Sequence, residues 1–319
     1  MNIKFIVAVF AITSIIGGLS YRRKSIPYTR YRLPSPKTDD ELTGRIINGI
    51  NAFAGELPYQ LYLKLVTSSK KERFCGGALA EAYGVQFALT AAHCVHDGYP
   101  SPFSPVNPRN VRIKAGAHDI NHKSGNEQIR TPTKVVIHDQ YDRTDPTPIH
   151  DIAIMFYADP FKINGFVGTI QLPGYMWEIP ERVEISGWGS TTPKPNLTFP
   201  DILKVAEMKT LSTKSCKRFE YDGNEITFRH MCLLQKNGIG TCSGDSGGPA
   251  GGTNNTNGDW YLAGLLSYHI GKCGSRIYPA VYLRVSTYID WIHIQANVLG
   301  LQFPSRCPPG TSNPGLSSD

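Results

Sequence analysis

The chain has 319 residues, of which 40% are hydrophobic, and it contains 31 Gly, 23 Pro and 7 Cys. This composition excludes a disordered or fibrous protein and indicates a folded chain with many turns. The net charge is +7, but residues 1–45 hold eight Lys/Arg against three Asp/Glu and so supply +5 of it. The remaining sequence therefore gives little reason to expect a nucleic-acid partner.

The first 20 residues have the layout of a secretory signal peptide. Lys4 precedes an apolar run over residues 5–16, and small residues follow from Gly17 to Ser20. The alternative, a membrane anchor, is disfavoured because the run is shorter than the roughly 20 residues needed to span a bilayer. We therefore predict a secreted, extracellular protein whose cysteines form disulfides.

Residues 21–45 are basic, contain prolines and lack cysteine, so they cannot build a core. Beyond them the sequence breaks into short β-branched and aromatic runs separated by Gly, Pro and Asn, such as QLYLKLV, FALTAA, VRIKAG, IAIMFY, WYLAGLLSY and AVYLRV. This pattern predicts an all-β barrel or sandwich. Near the end, Tyr288, Ile289 and Ile292 recur at helical spacing and predict a C-terminal helix. Residues 300–319 are rich in Pro, Ser and Gly and are predicted to form a flexible tail.

Three motifs in this chain carry groups that can break an amide bond. TAAHC places His93 at the end of an apolar strand, HDIAIM places Asp151 just before a buried one, and GDSGGP places Ser246 in a turn. A serine nucleophile needs an imidazole base, a carboxylate that orients it and backbone N–H donors for the oxyanion. A zinc site at His93, Cys94 and His96 is the weaker interpretation, because Cys94 is expected in a disulfide and no further ligand motif follows.

These motifs, together with RIING, FCGG and SGWG, resemble those of the chymotrypsin-fold (trypsin-like, S1) serine proteases over roughly residues 46–295. The resemblance implies two six-stranded antiparallel β-barrels with a C-terminal α-helix, in a protease domain over residues 46–299. It also implies that Ser246 is the nucleophile, His93 the base and Asp151 its orienting carboxylate. Gly244 and Ser246 would supply the oxyanion N–H groups, and Ser267 would support Asp151.

The sequence TGR-IING resembles the activation site of this family. The resemblance implies a zymogen in which residues 21–45 are an activation propeptide, cut after Arg45 by a trypsin-like protease. The new ammonium of Ile46 would then pair with Asp245, since a buried charge needs a partner. Expected partners are protein or peptide substrates, the activating protease, and serpins or substrate-like protease inhibitors, with no membrane or nucleic acid and no cofactor.

Six cysteines match the family's disulfide pattern and Cys307 is left over, either free or bonded to another chain. The implied pairs are Cys75–Cys94, Cys216–Cys232 and Cys242–Cys273. Two sequons, at Asn196 and Asn254, are candidate glycosylation sites. The stretch that matches the trypsin calcium loop keeps Glu127 but has Ala117 and Ser124 at two ligand positions, so we expect no metal.

Position 240 lies where the resemblance places the floor of the primary specificity pocket. Trypsin-like members carry Asp there, whereas this chain has Gly240 in GIGTCSGDSGGP, a stretch that most resembles invertebrate chymotrypsin-like and collagenolytic members. His269 and Ala280 stand where deep pockets have glycine, which predicts a shallower pocket that accepts small or medium apolar residues. The implied substrate-binding residues are Gly240, Thr241, Ser243, Ser267, His269, Lys272 and Ala280.

Three alternatives remain open at this point. His269 and Lys272 could present positive charge and select Asp or Glu, or His269 could face solvent and select nothing. In a different class, the chain could be a protease-fold binding protein without turnover. The presence of all three triad residues weighs against that class.

Overall fold

The structure is a computed structural model, and it describes residues 49–97, 104–142, 144, 147–192, 195–219, 225–235, 239–269, 273–275 and 277–302. Within these ranges the chain consists mainly of antiparallel strands with a few short helices. No helix in this part of the chain is long and apolar enough to cross a membrane. The predicted signal peptide, the propeptide, Arg45, Ile46, Lys272 and Cys307 lie outside the described residues.

The first half of the fold is a curved, antiparallel half-barrel. Its strands are β2 (Gln60–Val66), β3 (Glu72–Ala82), β4 (Val85–Thr90), β5 (Val111–Ala115), β6 (Gln128–Arg130), β7 (Lys134–Ile137) and β8 (Ala153–Phe156), in the order β6-β5-β2-β3-β4-β8-β7. On β2, every second side chain, Leu61, Leu63 and Leu65, is buried, as expected for a strand with one face on a core. The edge strands β6 and β7 follow each other in the chain, separated only by residues 131–133.

The second half contains a closed barrel. Its strands are β9 (Arg182–Gly187), β10 (Lys204–Leu211), β11 (His230–Leu234), β12 (Pro249–Thr253), β13 (Trp260–His269) and β14 (Ala280–Arg284). Because β9 pairs with both β10 and β12, these six strands close on themselves, and the short β1 (Ile50–Asn51) adds to β10 from outside. The predicted all-β architecture is therefore confirmed.

Strand β13 contains a bulge next to the candidate site. Leu266 lies opposite Tyr282 of β14, whereas Tyr268 lies opposite Val281, so Ser267 is the extra residue on its strand. A bulge of this kind bends the strand and changes the direction in which its side chains point. The bulge therefore separates the barrel part of β13 from its end at His269.

Three α-helices, together with short 3-10 turns, complete the described fold: α1 (Ala92–Val95), α2 (Thr213–Cys216) and α3 (Ile289–Gln302). The predicted C-terminal helix is confirmed, and it buries Ile289, Ile292 and Ala296. These side chains belong to one apolar cluster with Phe87 of β4 and Leu262 of β13. Burying an aliphatic side chain of this size contributes roughly 1.5–3 kcal/mol, so α3 is held by side chains from both sheets.

Candidate active site

His93 and Asp151 are brought together by strand pairing. Helix α1 begins one residue beyond the end of β4, with Ala91 between them, and Asp151 lies two residues before β8. Since β4 and β8 are antiparallel neighbours with Thr90 opposite Ala153, the segments that leave this edge of the sheet lie side by side. The His93 backbone N–H donates to Asp151 Oδ1 at 2.8 Å, and His93 Nδ1 is 2.8 Å from Asp151 Oδ2.

The Asp151 carboxylate is fully buried and receives a third contact from the bulge of β13. Ser267 Oγ donates to Asp151 Oδ2 at 2.6 Å. Burial alone would lower the pKa of His93, but the Coulombic attraction of Asp151 and its hydrogen bond outweigh that effect and raise the pKa above the usual value. The arrangement thus fixes the imidazole ring and stabilises its protonated form.

Ser246 lies across a cleft from His93. Both residues line this open cleft, whose volume is about 380 Å³. The backbone holds the serine in place, because the Gly76 N–H donates to Ser246 O at 2.8 Å. Within the described part of the chain, no hydrogen bond joins Ser246 Oγ to His93. Such contacts often form only when substrate is bound. The His93 side chain is 34% exposed, so substrate can reach it.

The turn before Ser246 presents backbone N–H groups. Gly244 adopts φ +99°, a left-handed conformation that glycine adopts without strain. No described residue accepts a hydrogen bond from the N–H of Gly244 or of Ser246, whereas the Asp245 N–H donates to Cys242 O at 3.1 Å. Gly244 and Ser246 are therefore available as oxyanion donors.

Asp245 points away from the cleft into the protein and is 1% exposed. Its carboxylate accepts from the Gly189 N–H at 2.7 Å and from the Cys242 N–H at 2.9 Å. Burial raises its pKa to about 7, against the lowering effect of these two hydrogen bonds. No ion pair involving Asp245 exists among the described residues, so its charge lacks a cationic partner there.

The floor of the predicted pocket contains a residue that the sequence analysis missed. A Cβ at position 240 would collide with Gln235 Oε1, so a larger residue here would require the Gln235 side chain to move. Gln235 is 1% exposed, and its Nε2 donates to Tyr278 O at 3.0 Å. Its Oε1 has no hydrogen-bond partner among the residues that the structure describes. Sequence alone offers no signal for it, since the contact depends on packing beneath the loop.

Two pocket residues predicted from the sequence contact each other. Thr241 Oγ1 is 2.6 Å from His269 Nε2, which joins the end of β13 to the segment after Gly240. Burial lowers the pKa of His269 to about 4, and the nearby His93 adds to this effect. His269 is therefore neutral at pH 7, which weakens the acidic-specificity alternative. His269 is half-buried, so the alternative in which it faces solvent is also weakened. Of the other predicted pocket residues, Ala280 is buried and Ser243 is half-buried.

A second residue missed from the sequence, Arg73, lines the cleft together with His93 and Ser246. Its Nη1 donates to His96 O at 2.8 Å and approaches His93 O at 3.4 Å. Its place directly before the FCGG motif was the available signal, because that motif also contributes Cys75 to the cleft wall.

The remaining predicted residues fall as follows. The structure pairs the six cysteines as Cys75–Cys94, Cys216–Cys232 and Cys242–Cys273. Ligand atoms of Cys75, His93 and Cys94 lie within 4.8 Å of one another, but the disulfide leaves no thiolate for a metal there. Glu127 accepts hydrogen bonds from Ser124 and Gly125 of its own loop. Asn196 is exposed and Asn254 half-buried.

Comparison with known proteins places this site in a family. The family model described as Trypsin matches residues 46–292. Trypsin-1 of Astacus astacus is 33% identical over 255 residues, which cover 79% of this chain and 100% of the relative. Trypsin of Sus scrofa is 31% identical over 258 residues, covering 81% of this chain and 96% of the relative. Serine protease 1 of Homo sapiens is 32% identical over 261 residues, which cover 82% of this chain and 92% of the relative. The chain belongs to the trypsin family of chymotrypsin-fold serine proteases, and it is a serine endopeptidase.

Proposed function

We propose that this chain is a secreted endopeptidase made as a zymogen, activated by cleavage after Arg45, and that it cleaves after small or medium apolar residues. The observation that carries the proposal is the buried Asp151 bonded to His93 Nδ1 at 2.8 Å, with Ser246 in the same open cleft. We assign the catalytic triad to these three residues.

Catalysis follows from the roles of these groups. Ser246 Oγ attacks the scissile carbonyl carbon while His93 Nε2 takes its proton, and the oxyanion accepts from the N–H groups of Gly244 and Ser246. As the C–N bond breaks, His93 gives the proton to the departing amine and an acyl-enzyme remains. Water then attacks the ester carbonyl while His93 takes one of its protons. The C–O bond to Ser246 breaks, His93 returns the proton to Ser246 Oγ, and the new carboxyl end is released. Asp151 keeps its charge throughout and stabilises the imidazolium.

Activation rests on the environment of Asp245. A buried carboxyl whose pKa is raised to about 7 gains most from a cation that arrives beside it. Cleavage after Arg45 creates such a cation on Ile46. The resulting pair would hold the segment from Gly240 to Ser246, including its oxyanion donors, in the catalytic arrangement. A trypsin-like protease is the activating partner, and serpins or substrate-like protease inhibitors are the expected regulators.

Secretion is proposed from the signal-peptide layout of residues 1–20. The three disulfides are consistent with an oxidising compartment. We propose the same domain division as before: signal peptide 1–20, propeptide 21–45, protease domain 46–299 and tail 300–319, although helix α3 includes residues 300–302 of that tail. Asn196 and Asn254 are proposed glycosylation sites on that exported chain.

The proposed specificity rests on three side chains. Position 240 has no carboxylate, and Gln235 Oε1 lies where a larger floor residue would have to go. His269 and Thr241 are 2.6 Å apart across the predicted pocket, which limits its depth. A long basic side chain would find neither room nor a counter-charge there, whereas Ala, Val or Leu would lose little by the confinement.

The test is to cut the purified chain with trypsin, inhibit the trypsin selectively, and profile cleavage of a peptide library. We expect cuts after small or medium apolar residues that disappear in the matched Ser246→Ala variant. Cuts mainly after Arg or Lys would refute the pocket assignment, and cuts after Asp or Glu would restore the charged-His269 alternative. No cleavage by a chain with a verified Ile46 terminus would favour the binding-protein class. Equal activity of an uncut Arg45→Gln variant would refute the zymogen.

A further inference from the structure

The cleft beside His93 has a side that the proposed triad chemistry does not use. The predicted pocket residues Gly240, Thr241 and His269 are absent from its described lining, which instead includes Arg73, Phe74 and the Cys75–Cys94 disulfide. The acyl part of a substrate occupies the side of the specificity pocket. The departing amine therefore lies on the other side of Ser246 and His93, in this cleft.

Arg73 brings a positive charge to that side without an acidic partner. No ion pair in the described part of the chain includes Arg73, and its neighbour Glu72 is engaged by Lys64 at 3.0 Å. Asp97, near the same end of the sheet, accepts instead from the Ser68 N–H and hydroxyl at 2.9–3.1 Å. The guanidinium is thus charged, half-buried and not neutralised by the side chains around it.

Part of the guanidinium is still free to bind a ligand. Nη1 is held by the carbonyls of His93 and His96, while Nε and Nη2 donate to no described residue. An Arg with one nitrogen anchored on the backbone is preorganised, because little side-chain entropy remains to be lost on binding. A carboxylate is the group that fits such a planar pair of donors.

We propose that Arg73 forms a subsite for an acidic side chain of the substrate, Asp or Glu, at the first or second residue after the scissile bond. The proposal deepens the proposed function and rests on it, since it requires cleavage at Ser246. Phe74, which is 39% exposed, and the disulfide supply apolar walls that strengthen the charge interaction by excluding water. Arg73 also acts on the catalytic base itself, since its charge opposes the rise in the pKa of His93.

The experiment compares peptide substrates that share one acyl sequence and differ only by Glu or Gln at either of the two leaving-group positions. A p-nitroanilide with the same acyl sequence has no leaving-group residues and reports the basic reaction alone. For the activated wild-type enzyme we expect kcat/KM to favour Glu over Gln by about five- to tenfold at one of the positions, between the values of a surface ion pair and a buried charge-assisted bond. The ratio should fall as salt rises.

The Arg73→Gln variant should bring the Glu/Gln ratio of kcat/KM to about one, a ratio in which any effect of the change on His93 cancels. In a third peptide of the series, with Lys at the same position, Arg73→Glu should prefer Lys over Glu. Arg130→Gln is the matched control, because Arg130 also binds backbone carbonyls, at Asp159 and Pro160, and should leave the preference intact. If Arg73→Gln does not fold, Arg73→Lys and the salt dependence of wild type decide. Anilide turnover without a Glu preference, or a preference that survives Arg73→Gln, would overturn the subsite alone. Failure of wild type on the anilide would overturn the proposed function as well.

Discussion

Asp151 and Asp245 are two buried carboxylates with different roles in the proposed action of Ser246, and they differ in the groups that donate hydrogen bonds to them. Asp151 is 0% exposed and Asp245 is 1% exposed. Asp151 receives the imidazole of His93 and the hydroxyl of Ser267. Among the described residues, Asp245 receives only backbone N–H groups, from Gly189 and Cys242. Burial costs both groups solvation, but only Asp151 has a side chain that can share its charge.

The difference shows that one fold can contain a carboxylate with its side-chain partners in place and another that has no cationic partner among the described residues. The Asp151 arrangement needs nothing more than the described residues to orient His93. The Asp245 arrangement holds a carboxyl whose pKa is raised to about 7, so a part of the population carries an uncompensated buried charge at neutral pH. We interpret Asp151 as a permanent orienting group and Asp245 as a group that awaits a cation.

The largest effect is expected from Asp151→Asn. An amide has one oxygen and no negative charge, so it cannot accept hydrogen bonds from both the backbone and the ring of His93 as the carboxylate does. The imidazole therefore loses the group that orients it and stabilises its protonated form. We expect kcat of the activated enzyme to fall by about 10⁴-fold, as in other proteases with this triad. Steady-state kinetics on the best library peptide, corrected for the active fraction, measures it. A loss of less than tenfold would contradict the role of Asp151.

A smaller effect is expected from Asp245→Asn, and its sign depends on cleavage. Because burial raises the Asp245 pKa from 3.8 to about 7, the folded uncut chain keeps a proton that the unfolded chain releases near pH 4. The free energy of unfolding should therefore fall as pH rises from about 4 to about 7, by at most about 4 kcal/mol. The variant cannot titrate there, so its stability relative to wild type should rise over the same interval.

Denaturant unfolding of the uncut chain at several pH values measures this difference, in a Ser246→Ala background to prevent self-cleavage. After cleavage at Arg45 the order should reverse, because Asp245 then pairs with the Ile46 ammonium and the Asn variant leaves that charge unpaired. If the variant and wild type keep a constant stability difference from pH 4 to 7, or if cleavage leaves that difference unchanged, the contrast between the two carboxylates is wrong.

The smallest effect is expected from Ser267→Ala. This change removes one of the three donors to Asp151 that the described residues supply and leaves both contacts from His93 in place. A single hydrogen bond to a charged group is worth about 1.5–3 kcal/mol, so kcat should fall about ten- to 150-fold. Ser267→Thr keeps the hydroxyl and serves as the control. Identical kinetics of the Ala variant and wild type would leave Asp151 dependent on His93 alone.

The sequence predicts the strands and the polar motifs well because both are local signals. The alternating leucines of QLYLKLV become β2, and TAAHC and HDIAIM precede or follow strands that pair with each other. The resemblance to the family implies the pairing of six cysteines. The helical spacing of apolar residues predicts the C-terminal helix, and the short strand-like runs predict the all-β architecture. These features depend on residues that are neighbours in the chain or on motifs that the family shares.

Gln235, Arg73 and the contact of His269 with Thr241 could not be predicted in this way. Gln235 fills the space beside Gly240 because its side chain packs against that position, five residues further along the chain. Arg73 becomes part of the cleft through the packing of β3 against α1, 20 residues along the chain from His93. His269 and Thr241 are 28 residues apart. Each depends on side-chain packing between separate segments, which carries no periodic signature.

The bulge at Ser267 determines to which face of the sheet each later side chain of β13 points. Side chains of a strand alternate between its two faces, so adding or removing one residue exchanges the faces for all later positions. Ser267, which bonds Asp151, and His269, which contacts Thr241, are therefore set by the same irregularity. A change that removed the bulge would alter turnover and substrate choice in a single step, so this strand end can be tuned by substitution but not by insertion or deletion.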